Sequence, residues 1–301
     1  MNSSRRGFLK MLAGAGVGAA AAGKAGDALA VEDFTGWPDT YGVLVDVSKC
    51  IGCRSCEGAC NDVNNLKNGV DPTDQSVFET ERRSDYNVYT FVNRYMPEAG
   101  GGQPVFVKRQ CMHCAEPACF AACLCKAFTK TPEGAVVYDA DVCIGCRYCM
   151  QACPFYIPAY TYQSAFDPKV TKCTFCFDRI SKDGGIPGCV EICPTGALTF
   201  GRREELITIA RKRIFADSDY IDHIYGEREV GGTSWMYISK VPFEQLGFKT
   251  NLGSTPIPRL TYGFLWTLPI LHITLPVLLA GIYSITRKRE GGAHGADGGE
   301  G

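Results

Sequence analysis

Histidine is scarce in this chain. His113, His223, His272 and His294 are the whole complement, and they form neither a catalytic triad nor a metal-ligand grouping. No phosphate-cradling loop is present. One glycine pattern of the dinucleotide-binding type, Gly14-Ala15-Gly16-Val17-Gly18-Ala19, follows no strand and is set aside. A surplus of positive charge is also missing. Lysine and arginine number 31 against 32 acidic residues, and without residues 1–30 the balance is 27 to 31. Nucleic-acid binding therefore has no electrostatic basis, and nothing in the chain has the look of a substrate site.

Cysteine, by contrast, is abundant at seventeen residues, and sixteen of these fall into four groups of four. The first is Cys50-x2-Cys53-x2-Cys56-x3-Cys60 and the third is Cys143-x2-Cys146-x2-Cys149-x3-Cys153-Pro154, both with the bacterial ferredoxin spacing for 4Fe-4S clusters. The second, Cys111-x2-Cys114-x4-Cys119-x3-Cys123, and the fourth, Cys173-x2-Cys176-x12-Cys189-x3-Cys193-Pro194, lengthen the loop before the third cysteine. Two-residue gaps let three thiolates converge on three irons of one small cube. The fourth cysteine, three residues on and expected at the start of a helix, reaches a partner cluster. Ile51-Gly52 and Ile144-Gly145 fit this picture, because glycine lets the backbone curl closely around an inorganic core.

Two other chemistries use cysteine. Disulfide frameworks belong to small secreted chains and need no repeated C-x2-C-x2-C triplets. Zinc takes two separated pairs, a description that suits the fourth group alone but not all four. Cys125 is left over, with Cys123 favoured as the ligand by its x3 spacing.

Residues 1–30 form a targeting segment. Ser4-Arg5-Arg6-Gly7-Phe8-Leu9-Lys10 fits the twin-arginine pattern and is followed by an Ala/Gly-rich stretch and the small-residue site Ala28-Leu29-Ala30. Thiols exported unfolded would cross-link in an oxidising periplasm. The twin-arginine route carries folded proteins, so clusters can be assembled in the reducing cytoplasm first.

Strand-like stretches flank the cysteine groups: "YGVLVDVSKC", "PVFVKRQC", "AVVYDADVC" and "GALTF". The run "AFTKTPEGAVVYDADVC" reads as a hairpin with a Pro-Glu-Gly turn, which suggests that groups two and three form one ferredoxin unit and groups one and four another. Spacing alone leaves the pairing open, since 19 residues separate groups two and three and also groups three and four. The expected fold is α+β: nested two-cluster ferredoxin-like units over residues 31–201 with an insertion at 61–110 of open role, then a surface helix ("REELITIARKRI") and linker over 202–259, in which "IYGEREVGGTSWMYIS" reads as a Gly-rich turn followed by a strand-like run. Residues 260–285 contain no Lys, Arg, Asp or Glu and as a helix span about 39 Å, enough to cross a hydrocarbon core of roughly 30 Å with tilt. Arg287-Lys288-Arg289 and the polar tail 286–301 are then expected on the cytoplasmic side, with the cysteine domain in the periplasm. His272 lies within the span, where a hydrogen-bonded packing role is favoured over ligation.

The order of the four groups, the twin-arginine signal and the anchor together resemble the ferredoxin-like iron-sulfur subunit of membrane-bound, quinone-linked NiFe hydrogenases. "RQCMHCAEPAC", "DVCIGCRYCMQACPF", "GGIPGCVEICPTGALTFGRREEL" and "YGEREVGGT" carry the resemblance, and the wider family includes beta subunits of formate dehydrogenases and other molybdenum enzymes. The resemblance implies four 4Fe-4S clusters: one on Cys50, Cys53, Cys56 and Cys193; one on Cys173, Cys176, Cys189 and Cys60; one on Cys111, Cys114, Cys119 and Cys153; and one on Cys143, Cys146, Cys149 and Cys123. Relatives usually have Cys-Pro where this chain has Cys123-Leu124-Cys125. The implied role is a non-catalytic electron wire between the small and large subunits of a periplasmic hydrogenase, or a molybdopterin enzyme, and an integral membrane quinone-reactive subunit. An independent export signal favours the hydrogenase. A zinc- or disulfide-stapled interaction protein is the rival from another class.

Overall fold

Tyr41–Asp46 forms the central strand in the computed structural model, which describes residues 39–71, 73–98, 101–163 and 169–293. The twin-arginine segment, the Ala28-Leu29-Ala30 site and the end of the tail, with His294, lie outside the described residues. The central strand pairs antiparallel with Leu198–Arg202, Val43 opposite Phe200, and parallel with Trp235–Ile238, Val43 opposite Trp235. Side chains alternate across a strand, so the sheet has two apolar faces. Leu44, Met236 and Ile238 meet Leu206 and Ala210 of the helix Arg203–Ala216 on one face. On the other, Val43, Val45, Trp235 and Tyr237 join Cys111, Cys173 and Cys189 in the main core. Burying Leu206 there contributes about 1.5–3 kcal/mol.

Residues 202–259, expected as a surface helix and linker, are corrected by this arrangement. They supply a strand of the central sheet and a helix that caps its far face, because "WMYI" is buried at all four positions. The turn before that strand is held by Glu229, which accepts hydrogen bonds from the Gly226 N–H at 2.7 Å and from His223 Nε2 at 2.6 Å. Burial opposes the Glu229 charge, but these donors hold its carboxyl below the usual value, 4.5. The hydrogen bond to Glu229 raises His223 above 6.5. Glu229's contribution is therefore present above pH 4.5 and lost as pH falls through its lower folded value, and His223's is full below pH 6.5 and fades as pH rises through its higher one. Glu229→Gln is expected to cost about 1–3 kcal/mol and to flatten the pH profile of the unfolding midpoint across that window. His223 is half-exposed, so solvent screening keeps its own share under about 1 kcal/mol.

The predicted hairpin between groups two and three is present, with Phe128–Lys130 antiparallel to Val136–Tyr138. Within the stretch 61–110, Thr90–Tyr95 and Val105–Gln110 form a second antiparallel hairpin. Buried Glu57 fastens it to the first cysteine group, accepting the Val92 N–H at 2.7 Å and bonding the Arg54 and Arg82 guanidiniums. The 61–110 stretch is thus part of the wall around the cysteines.

The C-terminal helix runs Ile257–Ala293, longer than the apolar run and unbroken at Pro269 and Pro276. Its apolar part, Ile257–Arg287, spans about 46 Å for 31 residues; Ile257 packs on the main core, and from Leu260 onward the side chains are exposed almost throughout. His272 Nδ1 lies 2.7 Å from the Leu268 carbonyl of its own helix, so its hydrogen bond is local. At the domain end, Arg259 forms a two-point ion pair with Glu116, its Nε 2.9 Å from Oε2.

Candidate functional site

Each cysteine loop turns by visiting the left-handed backbone region. In the first group Gly52 has φ +72° and Arg54 +59°, immediately before the helix Ser55–Asn64; in the third, Gly145 (+69°) and Arg147 (+60°) precede Tyr148–Ala152. The second and fourth groups use His113 (+48°) and Phe175 with Cys176 (+63°, +49°). A non-glycine residue there costs about 1–2 kcal/mol. At Arg54 the cost is offset by a buried guanidinium that donates to the Asp71 and Asp74 carbonyls at 2.8 and 3.0 Å. At Gly52 no side chain fits, since a Cβ would lie 2.4 Å from the Phe106 ring.

The fourth cysteine of each group does not open a helix. Cys60 lies inside Ser55–Asn64, while Cys123, Cys153 and Cys193 close or follow the short helices Ala118–Ala121, Tyr148–Ala152 and Gly188–Glu191. The reason is the x3 spacing itself. Four residues advance about 6 Å along a helix on one face, so the third and fourth thiols point to different neighbours from a single turn.

The structure gathers the sixteen thiols into four sets, each mixing two groups. Cys50, Cys53 and Cys56 line one cavity with Cys193. Cys173, Cys176 and Cys189 line a second with Cys60. Cys114 has Cys153, Cys111 and Cys119 as its electrostatic neighbours, and Cys149 has Cys143, Cys123 and Cys146. The sets also follow one another. Cys56 senses Cys189 of the second set, Cys173 senses Cys111 of the third, and Cys119 senses Cys149 of the last.

Burial makes these thiols reluctant to ionise. It pushes Cys50, Cys149 and Cys153 up to about 11 and Cys60 up to about 12, with neighbouring thiols adding to the effect. Cys193 goes the other way, because the Thr195 hydroxyl and backbone N–H groups outweigh its burial. Such a donor set is stable as thiolate only with a compensating cation, and loading it must release protons.

Three observations fit an iron-sulfur cube. No disulfide joins any of the seventeen cysteines. The cysteines of the first two sets line the walls of cavities, as ligands around a cluster must, whereas a zinc site brings its four ligands to one point. Finally, Trp235 lines the second cavity with its Nε1 buried and without an acceptor among the described residues. Buried unpaired donors of this kind call for a partner outside the chain, such as sulfide. His113 accepts the Val136 N–H at Nδ1 (2.9 Å), and burial, reinforced by Lys172 and Lys130, holds it neutral, well below its usual value.

Sequence reasoning missed Trp235 and Lys108. Lys108 sits on the second hairpin, 2 % exposed, and lines both the first and second cavities. Burial opposes its charge, yet Cys189, Cys56 and Cys173 overcome this and hold it above its usual value. A lone lysine in "PVFVKRQC" gives no sign of burial; only the strand alternation Phe106, Lys108, Gln110 hints that it faces inward.

Cys125 lines neither the first nor the second cavity, whereas Cys123 Sγ accepts the Ala127 N–H at 3.2 Å and packs with Cys119 and Cys149. Cys125→Ala is therefore expected to leave iron content unchanged, and Cys123→Ser to lower it, as read by iron and acid-labile sulfide assay.

Comparison with known proteins places relatives beside this geometry. The 4Fe-4S dicluster domain family matches residues 103–203. A protein of Nitratidesulfovibrio vulgaris is 52% identical over 292 residues, covering 95% of this chain and 78% of its own length. The hydrogenase-2 operon protein HybA of Escherichia coli is 37% identical over 244 residues, covering 69% of this chain and 73% of its own. The formate dehydrogenase iron-sulfur subunit of Haemophilus influenzae is 36% identical over 201 residues, covering 65% and 63%.

Proposed function

The chain belongs to the HybA family of 4Fe-4S dicluster proteins, and from that premise we propose that it is a four-cluster electron-transfer subunit linking a periplasmic NiFe hydrogenase to a quinone-reactive membrane subunit. The observation that carries this reading is the succession of four thiol sets, each completed by a cysteine from a partner group. Each bound cluster supplies a one-electron carrier, with potentials that span about −700 to +450 mV for the class. The chain's own residues hold the carriers, keep water from them and tune them. Cys50, Cys53, Cys56 and Cys193 hold the first; Cys60, Cys173, Cys176 and Cys189 the second; Cys111, Cys114, Cys119 and Cys153 the third; Cys123, Cys143, Cys146 and Cys149 the fourth. No residue is assigned a catalytic role.

The helix Ile257–Arg287 serves as the membrane anchor, and its first turn indicates which end of the array lies near the bilayer. Arg259 grips Glu116, which sits between Cys114 and Cys119 of the third set. The third and fourth sets are therefore membrane-proximal, and the first faces the catalytic partner. Export in the folded state by the twin-arginine route and a periplasmic position for the cysteine domain belong to the same reading. The alternative source of electrons is a formate dehydrogenase or other molybdopterin enzyme, which the similarity to formate dehydrogenase subunits keeps in play.

The test is the metal content of the complex that co-purifies with the full chain, tagged at its C-terminus, from detergent-solubilised membranes. Nickel near one per complex with H2-driven quinone reduction is expected. Molybdenum or tungsten would move the same wire to a molybdoenzyme, and a colourless, zinc-loaded preparation would sink both.

A further inference from the structure

Lys108 is the single residue common to the walls of the first and second cavities among the described residues. Its ammonium donates to Gln110 Oε1 at 2.9 Å and lies 4.4 Å from the centre of the Trp235 ring. Gln110 in turn donates to the Tyr237 hydroxyl at 2.7 Å, so the lysine is held by a neutral network. No carboxylate pairs with it among the described residues. A buried ammonium is costly unless an anion compensates it, and the thiolates of the two sets whose cavities it lines are the anions at hand. Cys50, Cys56, Cys60, Cys173, Cys176 and Cys189, all from those two sets, sense its charge. Thiols of the third set sense Lys130 and Lys172 instead.

We propose that Lys108 is a shared positioning charge that favours the reduced state of the first two clusters together and so sets their potentials as a pair. This rests on the cluster assignment made above. A cluster on four thiolates is an anion, and its negative charge grows by one when it takes an electron. A fixed cation in the wall common to two such sites stabilises each reduced form, and that attraction offsets part of the repulsion between the two when both are reduced. Trp235 keeps water from the ammonium, so its field is little screened.

The experiment is a potentiometric titration, followed by electron paramagnetic resonance, of the purified complex carrying Lys108→Met, Lys108→Gln or Lys108→Arg, with iron and sulfide counted first. In both neutral variants two of the four midpoints should fall together, with the oxidised-to-reduced ratio at the original midpoint rising about tenfold, or 59 mV for a one-electron couple. The other two midpoints should stay, and Lys108→Arg should leave all four near their original values. Unmoved midpoints, a shift in one alone or an equal shift in all four would overturn the proposal. Loss of clusters from the neutral variants while Lys108→Arg keeps its own would also overturn it, in favour of a role in assembly. An original complex without iron and sulfide would instead defeat the cluster assignment itself.

Discussion

Replacing Cys193 by serine is expected to remove the same cluster as replacing Cys53, although 139 residues lie between them. The two thiols line one cavity, with Cys50 and Cys56. Each single variant should lower iron from about sixteen to about twelve per chain, abolishing one spectroscopic signal and leaving the other three. The Cys53→Ser/Cys193→Ser double variant should then lose nothing further, because residues that act as a unit are non-additive. A second lost cluster in the double variant would show that the two cysteines serve different sites. Electron flow through the complex should fall sharply in all three, since a serial wire has no bypass around a missing carrier.

Ending the chain after Arg259 is expected to release the protein from membranes while leaving cluster content and unfolding temperature near their original values. The removed helix buries none of its apolar surface on the domain. Each Leu, Ile, Phe or Val in a membrane span contributes about 0.3–0.6 kcal/mol to insertion, so the run amounts to several kcal/mol of anchoring. Keeping Arg259 preserves its ion pair with Glu116 and thus the second cysteine loop. Fractionation after carbonate washing checks the outcome. Truncated protein that stays with the membrane would mean that contacts with an integral subunit, not the helix, hold it there.

Much of this was legible in the linear chain because its information is local. Two-residue gaps between cysteines, the Gly52 and Gly145 positions and the Pro-Glu-Gly hairpin specify turns within a few residues, and the structure contains each of them. The expected helix-opening position of the fourth cysteines was wrong for an equally local reason, since the third and fourth cysteines share one turn. The strand-like run within 202–259 was legible, but its place was not, because "WMYI" joins a strand from the other end of the chain and pairing across such a separation leaves no periodic trace.

By itself the sequence determined that sixteen cysteines form ferredoxin-type groups and that a charge-free run of membrane length follows them. Only the tertiary structure decided that a lysine from one hairpin lines both the first and the second cavity and that a tryptophan from the last strand lines the second. The physical reason is that a thiol's spacing fixes the shape of its own loop, whereas burial, common walls and neighbouring charge arise only when separate segments pack together.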